Sequence, residues 1–239
     1  SDVYKRQEQF DRLAALASED ELTGLPTRRS AVEFLERLQV PVHKVASFEL
    51  VDLPLLRRIA ATRKPIIMST GMALREEIEE ALATLDEAGS GPIALLKCTS
   101  AYPAPAEEMN LRTIPDMMAR YGRIVGLSDH TLSTSVSVVA VTLGAAIVEK
   151  HFTLARSDGG PDAAFSLEPD EFRAMVNAIR TAEKALGTAS YEVSANESRS
   201  RIFRRSLFVV QNVHAGERFT EENVRCIRPA HGLHPRECL

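Results

Sequence analysis

Two histidines stand at matching places in consecutive stretches of the chain. His130 ends the run IVGLSDH and His151 ends AAIVEKH, each within two residues of an acidic residue before it and of a threonine after it, with an apolar helix-like segment between them. If each apolar run is a buried strand, both imidazoles arrive at the same edge of one sheet. Parallel α/β scaffolds build metal sites and acid/base pairs in this way. One histidine at a strand end is usually just a satisfied polar residue, and the repeated context is what favours joint chemistry.

Other polar residues follow neighbouring apolar runs: Lys44, Ser47 and Glu49; Ser69 and Thr70 before Gly71; Thr99, Ser100 and Tyr102; Ser128 and Asp129; Glu149 and Lys150. Hydroxyls and an ammonium spread over adjacent loops suit a small, multiply charged anion. Ser69 or Thr70 taken alone is as readily a helix N-cap. Two imidazoles with room for water and substrate oxygens suit Mn, Fe or Zn better than Mg or Ca. No third protein ligand stands out, so the substrate is expected to complete the coordination.

The elements needed to position these residues are legible. Helical spacing of Phe10, Leu13, Leu16 and Ala17 predicts a helix over 4–18, and a second is expected over 31–38. LTGLPTRRS between them is the weakest of the expected strands. From Val42 strands alternate with helices: VHKVAS and a helix over 54–62, PIIMST and 74–88, PIALLKCTS and 111–121, IVGLS and 133–143, AAIVEKH and then, after a long loop, 169–186. Five such βα units point to a parallel sheet with right-handed crossovers, either an open doubly wound sheet or a (β/α)8 barrel. No GxGxxG or GxxxxGK[ST] follows any strand, which removes the usual reason for an open nucleotide-binding sheet.

Composition narrows the classes. The 239 residues provide for a real core, and a net charge of -4 gives no general attraction to nucleic acid or anionic membrane. Cys98, Cys226 and Cys238 form no CxxC pair, as in a reducing cytosol. No apolar run reaches the roughly 18 residues needed to span a bilayer. A soluble, cytoplasmic protein without nucleic-acid or membrane partners is expected.

After Gly187 the stretch GTASYEVSANESRSR lacks apolar periodicity and reads as a linker or extended arm over 188–204. SLFVV, a QNVHAGE turn, a short helical FTEENV and the strand-like RCIRP then suggest a small β-rich module over 205–239, following a main domain over 1–187. Both ends read as those of a fragment.

KVASFELVDLPLL, PIIMSTGM, LLKCTSAYPAPAEEMNL, VGLSDHT, VEKHFTL, GGPDAAFSLEPDEF and FRRSLFVV, in this order, resemble the sialic acid synthase family. Its enzymes condense phosphoenolpyruvate with an N-acetylated amino sugar. The SFE, CTSAYPAP and GGPDAAFSLEP forms look most like the pseudaminic acid synthases within it. The resemblance implies a (β/α)8 TIM barrel, here lacking its first strands, followed by a partial antifreeze-like (SAF) domain. In the family the small domain covers the partner's barrel mouth in a domain-swapped homodimer.

By matching motifs, the resemblance assigns His130 and His151 to a divalent metal, Mn2+ before Mg2+ or Co2+. It assigns Lys44, Ser47, Ser69, Ser100 and Ser128 to phosphoenolpyruvate; Ser100 stands where many relatives have Asn. Tyr102, Asp162, Phe203 and Arg228 would contact the sugar, Arg228 through an N-acetyl group in the partner's site. Glu49 would act at the reacting carbons. The implied reaction joins 2,4-diacetamido-2,4,6-trideoxy-L-altrose to phosphoenolpyruvate, giving pseudaminic acid, a nine-carbon 2-keto acid, and phosphate.

Alternatives are N-acetylneuraminate or legionaminate synthesis, a metal-dependent aldolase or phosphatase on the same barrel, and a noncatalytic carbohydrate-binding relative. The family's first two strands, with an acidic sugar contact and a further anion-binding lysine, have no counterpart. The polypeptide as given is therefore expected to be poorly stable or inactive, and its longer parent to be an active synthase.

Overall fold

A computed structural model describes residues 28–237, the side chains from residue 31 onward. The helix expected over 4–18 and Cys238 lie outside the described residues. The chain divides into two compact units, the first ending at Gly187 and the second beginning at Thr188.

The first unit alternates helix and strand. Among the described residues it comprises α1 (Arg28–Arg37), β1 (His43–Val45), α2 (Leu53–Ala60), β2 (Ile66–Ser69), α3 (Arg75–Glu87), β3 (Ile93–Cys98), α4 (Thr113–Tyr121), β4 (Ile124–Asp129), α5 (Thr134–Thr142), β5 (Val148–Lys150) and α6 (Pro169–Leu186). Where LTGLPTRRS was expected to be strand, its last residues are the first turn of α1. Local chemistry sets the helix starts: Asp52 caps α2 by accepting from the Leu55 amide, and Ser133 caps α5 through the Ser135 amide. Pro169 opens α6, where a missing amide hydrogen costs nothing.

All five strands pair in parallel, in the order β1-β2-β3-β4-β5. Sequential order without reversal is that of barrel staves, because a doubly wound sheet must switch direction. A parallel bridge between Phe152 and Leu167 extends the sheet beyond β5. β3 and β4 are buried on both faces along most of their length, as a sheet covered by helices requires. Leu56, Ile66, Met68, Leu85, Leu95 and Leu127, all almost wholly buried, form the main core. Met175 and Ile179 of α6 pack with Leu167 in a second cluster against Val138, Val141 and Val148. Gly126 lets β4 pass close to its neighbours, since a Cβ there would lie 2.4 Å from the Ile147 carbonyl oxygen.

Register places the functional residues. Cys98, Ser128 and Glu149 are Cα partners on one rung, and Asp129 and Lys150 are partners on the next. Side chains alternate between faces, so these two rungs point to opposite sides of the sheet. Among the described residues no helix is long and apolar enough to cross a membrane.

The second unit contains α7 (Ala195–Ser200), a 3-10 turn at Arg201–Phe203, and the antiparallel pair β6 (Ser206–Val209) and β7 (Val224–Ile227). One expectation gains detail here and one is corrected. The stretch over 188–204 contains a helix, because Ser194 and Glu197 form a reciprocal capping box that starts one without apolar periodicity. FTEENV is not helical: Asn223 Oδ1 accepts from the Thr220 amide and Asn223 Nδ2 donates to the Arg218 carbonyl, closing turns that lead straight into β7.

Candidate active site

The C-terminal strand ends bring the two histidines together, with ring centroids 5.2 Å apart. Nδ1 of His130 donates to the Thr99 carbonyl at 2.9 Å, and Nδ1 of His151 lies 3.5 Å from Asp162 Oδ2. Each ring therefore has its Nδ1 engaged, leaving Nε2 as the lone-pair donor. Outer contacts of this kind orient metal-ligating histidines, so the pair fits a divalent ion. Among the described residues no group of three or more His, Cys, Asp and Glu is placed to hold a metal. An ion held there would have these two imidazole nitrogens as its ligands among the described residues.

Tyr102 covers the pair, its ring 4.3 Å from that of His130 and 6.0 Å from that of His151. Phe165 packs beside Tyr102, 5.0 Å from His151 and 5.3 Å from Tyr102. The two rings tune differently. Burial lowers the His151 pKa and the neighbouring His130 lowers it further, favouring the neutral, ligating form. At His130 burial also opposes protonation, but the bonds with Cys98 and the Thr99 carbonyl outweigh it and raise the pKa. The Cys98 thiol, 3.9 Å from His130 Nδ1, is destabilised as a thiolate by burial, yet hydrogen bonds with His130 and Ser47 bring its pKa down to about 7.

Below the histidines lies a polar network. Lys44 Nζ donates to Ser69 Oγ at 2.8 Å and lies 3.6 Å from Glu149 Oε2, while Ser128 Oγ donates to Glu149 Oε1 at 2.6 Å. Ser69 and Thr70 are not helix caps, because α3 begins later with Leu74 at its N-cap. Ser47 accepts the Gly71 amide at 3.0 Å. Ser47, Ser100 and Cys98 converge on Gly71, where a Cβ would lie 2.8, 2.2 and 3.0 Å from their side-chain heteroatoms.

On the opposite face Lys150 and Asp129 form an ion pair at 3.0 Å with side chains 1% and 0% exposed. Asp129 also accepts from Ser137 Oγ at 2.7 Å and from the Thr131 amide at 2.8 Å. Its residue and its partner immediately precede the two histidines, so one buried pair ties the ends of β4 and β5.

Glu49 ends a 3-10 turn at Ser47–Glu49, half-buried, and among the described residues none hydrogen-bonds its carboxylate. Phe203 and Arg228 belong to the second unit, and both are exposed. Sequence reasoning assigned no role to Phe165, Cys98 or Gly71, and it named Asp129, Glu149 and Lys150 only as members of the polar set that follows the strands. Strand alternation would have put Cys98 and Glu149 on the Ser128 rung.

The model of a known family, described as the NeuB family, matches residues 2–191. The chain belongs to the NeuB family. It is 43% identical over 211 residues to a pseudaminic acid synthase of Campylobacter jejuni, covering 88% of this chain and 62% of that protein. It is 41% identical to an N,N'-diacetyllegionaminic acid synthase of the same species, covering 87% of this chain and 63% of that protein. Among solved structures, the N-acetylneuraminic acid (sialic acid) synthetase of Leptospira borgpetersenii, in complex with citrate, matches with a TM-score of 0.65 and 32% identity, covering 71% of this chain and 59% of that chain. The chain spans less than two thirds of the length of these relatives.

Proposed function

We propose that the whole protein condenses phosphoenolpyruvate with an N-acetylated amino sugar to give a nine-carbon 2-keto sugar acid and phosphate. The observation that carries this reading is the Lys44–Ser69–Glu149–Ser128 network together with a histidine pair whose ring centroids lie 5.2 Å apart. An anionic donor and an aldehyde acceptor need these two features side by side. Similarity to synthases of pseudaminic, legionaminic and N-acetylneuraminic acids supports the same chemistry.

His130 and His151 would hold a divalent ion, Mn2+ before Mg2+ or Co2+, which when bound polarises the sugar aldehyde oxygen. Lys44, Ser47, Ser69, Ser100 and Ser128 receive the phosphate and carboxylate of phosphoenolpyruvate and hold its enol carbon toward the acceptor. Tyr102, whose ring lies against that of His130, and Asp162, 3.5 Å from His151 Nδ1, orient the sugar. Glu49 stabilises the positive charge that develops at C2 or takes a proton from the attacking water. The Tyr102 and Phe165 rings exclude bulk water from one side of the pair. Phe203 and Arg228 meet the sugar's N-acetyl group from a partner subunit, the second unit serving as an antifreeze-like cover in a cytoplasmic homodimer.

The substrate read from the SFE and GGPDAAFSLEP motifs is 2,4-diacetamido-2,4,6-trideoxy-L-altrose, making the product pseudaminic acid. The near-equal identity to a legionaminic acid synthase keeps that sugar as the second reading. Incubating the whole protein with phosphoenolpyruvate, Mn2+ and each amino sugar, and weighing the products by mass spectrometry, decides between them. A product from the altrose derivative alone supports the first reading, and a preference for another sugar rejects it.

A further inference from the structure

Lys44 Nζ donates to the Val45 carbonyl at 3.1 Å and to Ser69 Oγ at 2.8 Å, and forms an ion pair with Glu149 Oε2 at 3.6 Å. The single O–H of Ser128 is likewise committed, to Glu149 Oε1 at 2.6 Å. An anion drawing on both residues must take the Ser128 hydroxyl from Glu149 and share the Lys44 charge with it, beside a carboxylate of like charge. The Lys44 and Glu149 side chains are 33% and 42% exposed, so solutes reach both.

We propose that Glu149 is an internal competitor for the anion seat, a specificity-determining residue that weakens the hold on free phosphate and so speeds its release. The inference rests on the reading of Lys44 and Ser128 as anion ligands. It differs from a purely orienting role in the sign of one substitution. Glu149→Gln keeps an oxygen acceptor for Ser128 while removing the charge, so an orienting residue is replaced with no gain in affinity, whereas a competitor is disarmed.

The test is calorimetric titration of the whole protein with inorganic phosphate alone, at fixed pH and low salt. Glu149→Gln is expected to bind at least about tenfold more tightly than wild type, with the gain shrinking as salt screens the charge. Thermal melting of the two proteins side by side separates a local effect from misfolding, and Glu149→Ala is the second variant, expected to tighten binding as well. Equal or weaker binding by both variants, when they melt like wild type, overturns the proposal. Lys44→Met, added to Glu149→Gln, locates the failure. If it abolishes binding that Glu149→Gln did not tighten, the competitor role alone falls. If phosphate still binds without Lys44, or binds to none of the proteins, the anion reading falls with it.

Discussion

Asp129 Oδ2 and Lys150 Nζ meet at 3.0 Å in the interior, one residue before each of the two histidines that face the other side of the sheet. A carboxylate stripped of that partner would be buried without its counter-charge. Lys150→Met is therefore expected to destabilise the protein by about 3–5 kcal/mol, because losing one member of a buried pair costs more than losing both. Denaturant midpoints check this. Replacing both residues with apolar ones should recover much of the loss, and a single variant as stable as wild type contradicts the assigned role.

Gly71 has no room for a side chain. With Ser100 Oγ 2.2 Å from the position of a Cβ, Gly71→Ala must push apart the Ser47, Ser100 and Cys98 side chains. The expected cost is about 1–3 kcal/mol. Phosphate affinity measured on the folded fraction should fall with it, and an alanine variant with unchanged stability and affinity contradicts the packing described.

Away from the site, Glu36 accepts from Lys64 Nζ at 2.7 Å and pairs with His43 Nε2 at 2.9 Å. The Lys64 hydrogen bond holds its carboxyl below the ordinary value of 4.5, with burial opposing and His43 assisting. A folded-state pKa below the unfolded one means stability that is fully present above about 4.5 and fades as pH falls through the lowered value. Melting temperatures of wild type and Glu36→Gln should differ near neutrality and converge in acid. A gap that persists in acid well below the lowered value argues that the pair contributes by shape and not by charge.

Glu49→Gln should cut turnover of the whole protein severely while leaving its melting temperature in place, since the side chain is half-buried at the end of a short turn. Steady-state rates settle the point. An unimpaired variant removes Glu49 from the chemistry.

The strand-helix alternation was legible because doubly buried strands are continuous apolar runs, and the predicted helix over 169–186 is the observed α6. The convergence of His130 and His151 followed from their repeated position after such runs. Less legible were features that depend on register and on loops. Phe165 reaches His151 from a long connection with no periodicity, and the pairing of Asp129 with Lys150 needs the alignment of β4 with β5. Capping explains the remaining differences: Ser194 with Glu197 starts α7 in a polar stretch, and Asn223 closes turns where a helix was expected.

The central claim is that one rim activates an aldehyde and holds an anionic three-carbon donor at once. Phosphate release is the direct measurement, made on the whole protein with Mn2+ and phosphoenolpyruvate, with and without the N-acetylated amino sugar. The account predicts release only when both substrates are present, in step with formation of the 2-keto acid. Equal release from phosphoenolpyruvate alone would contradict it.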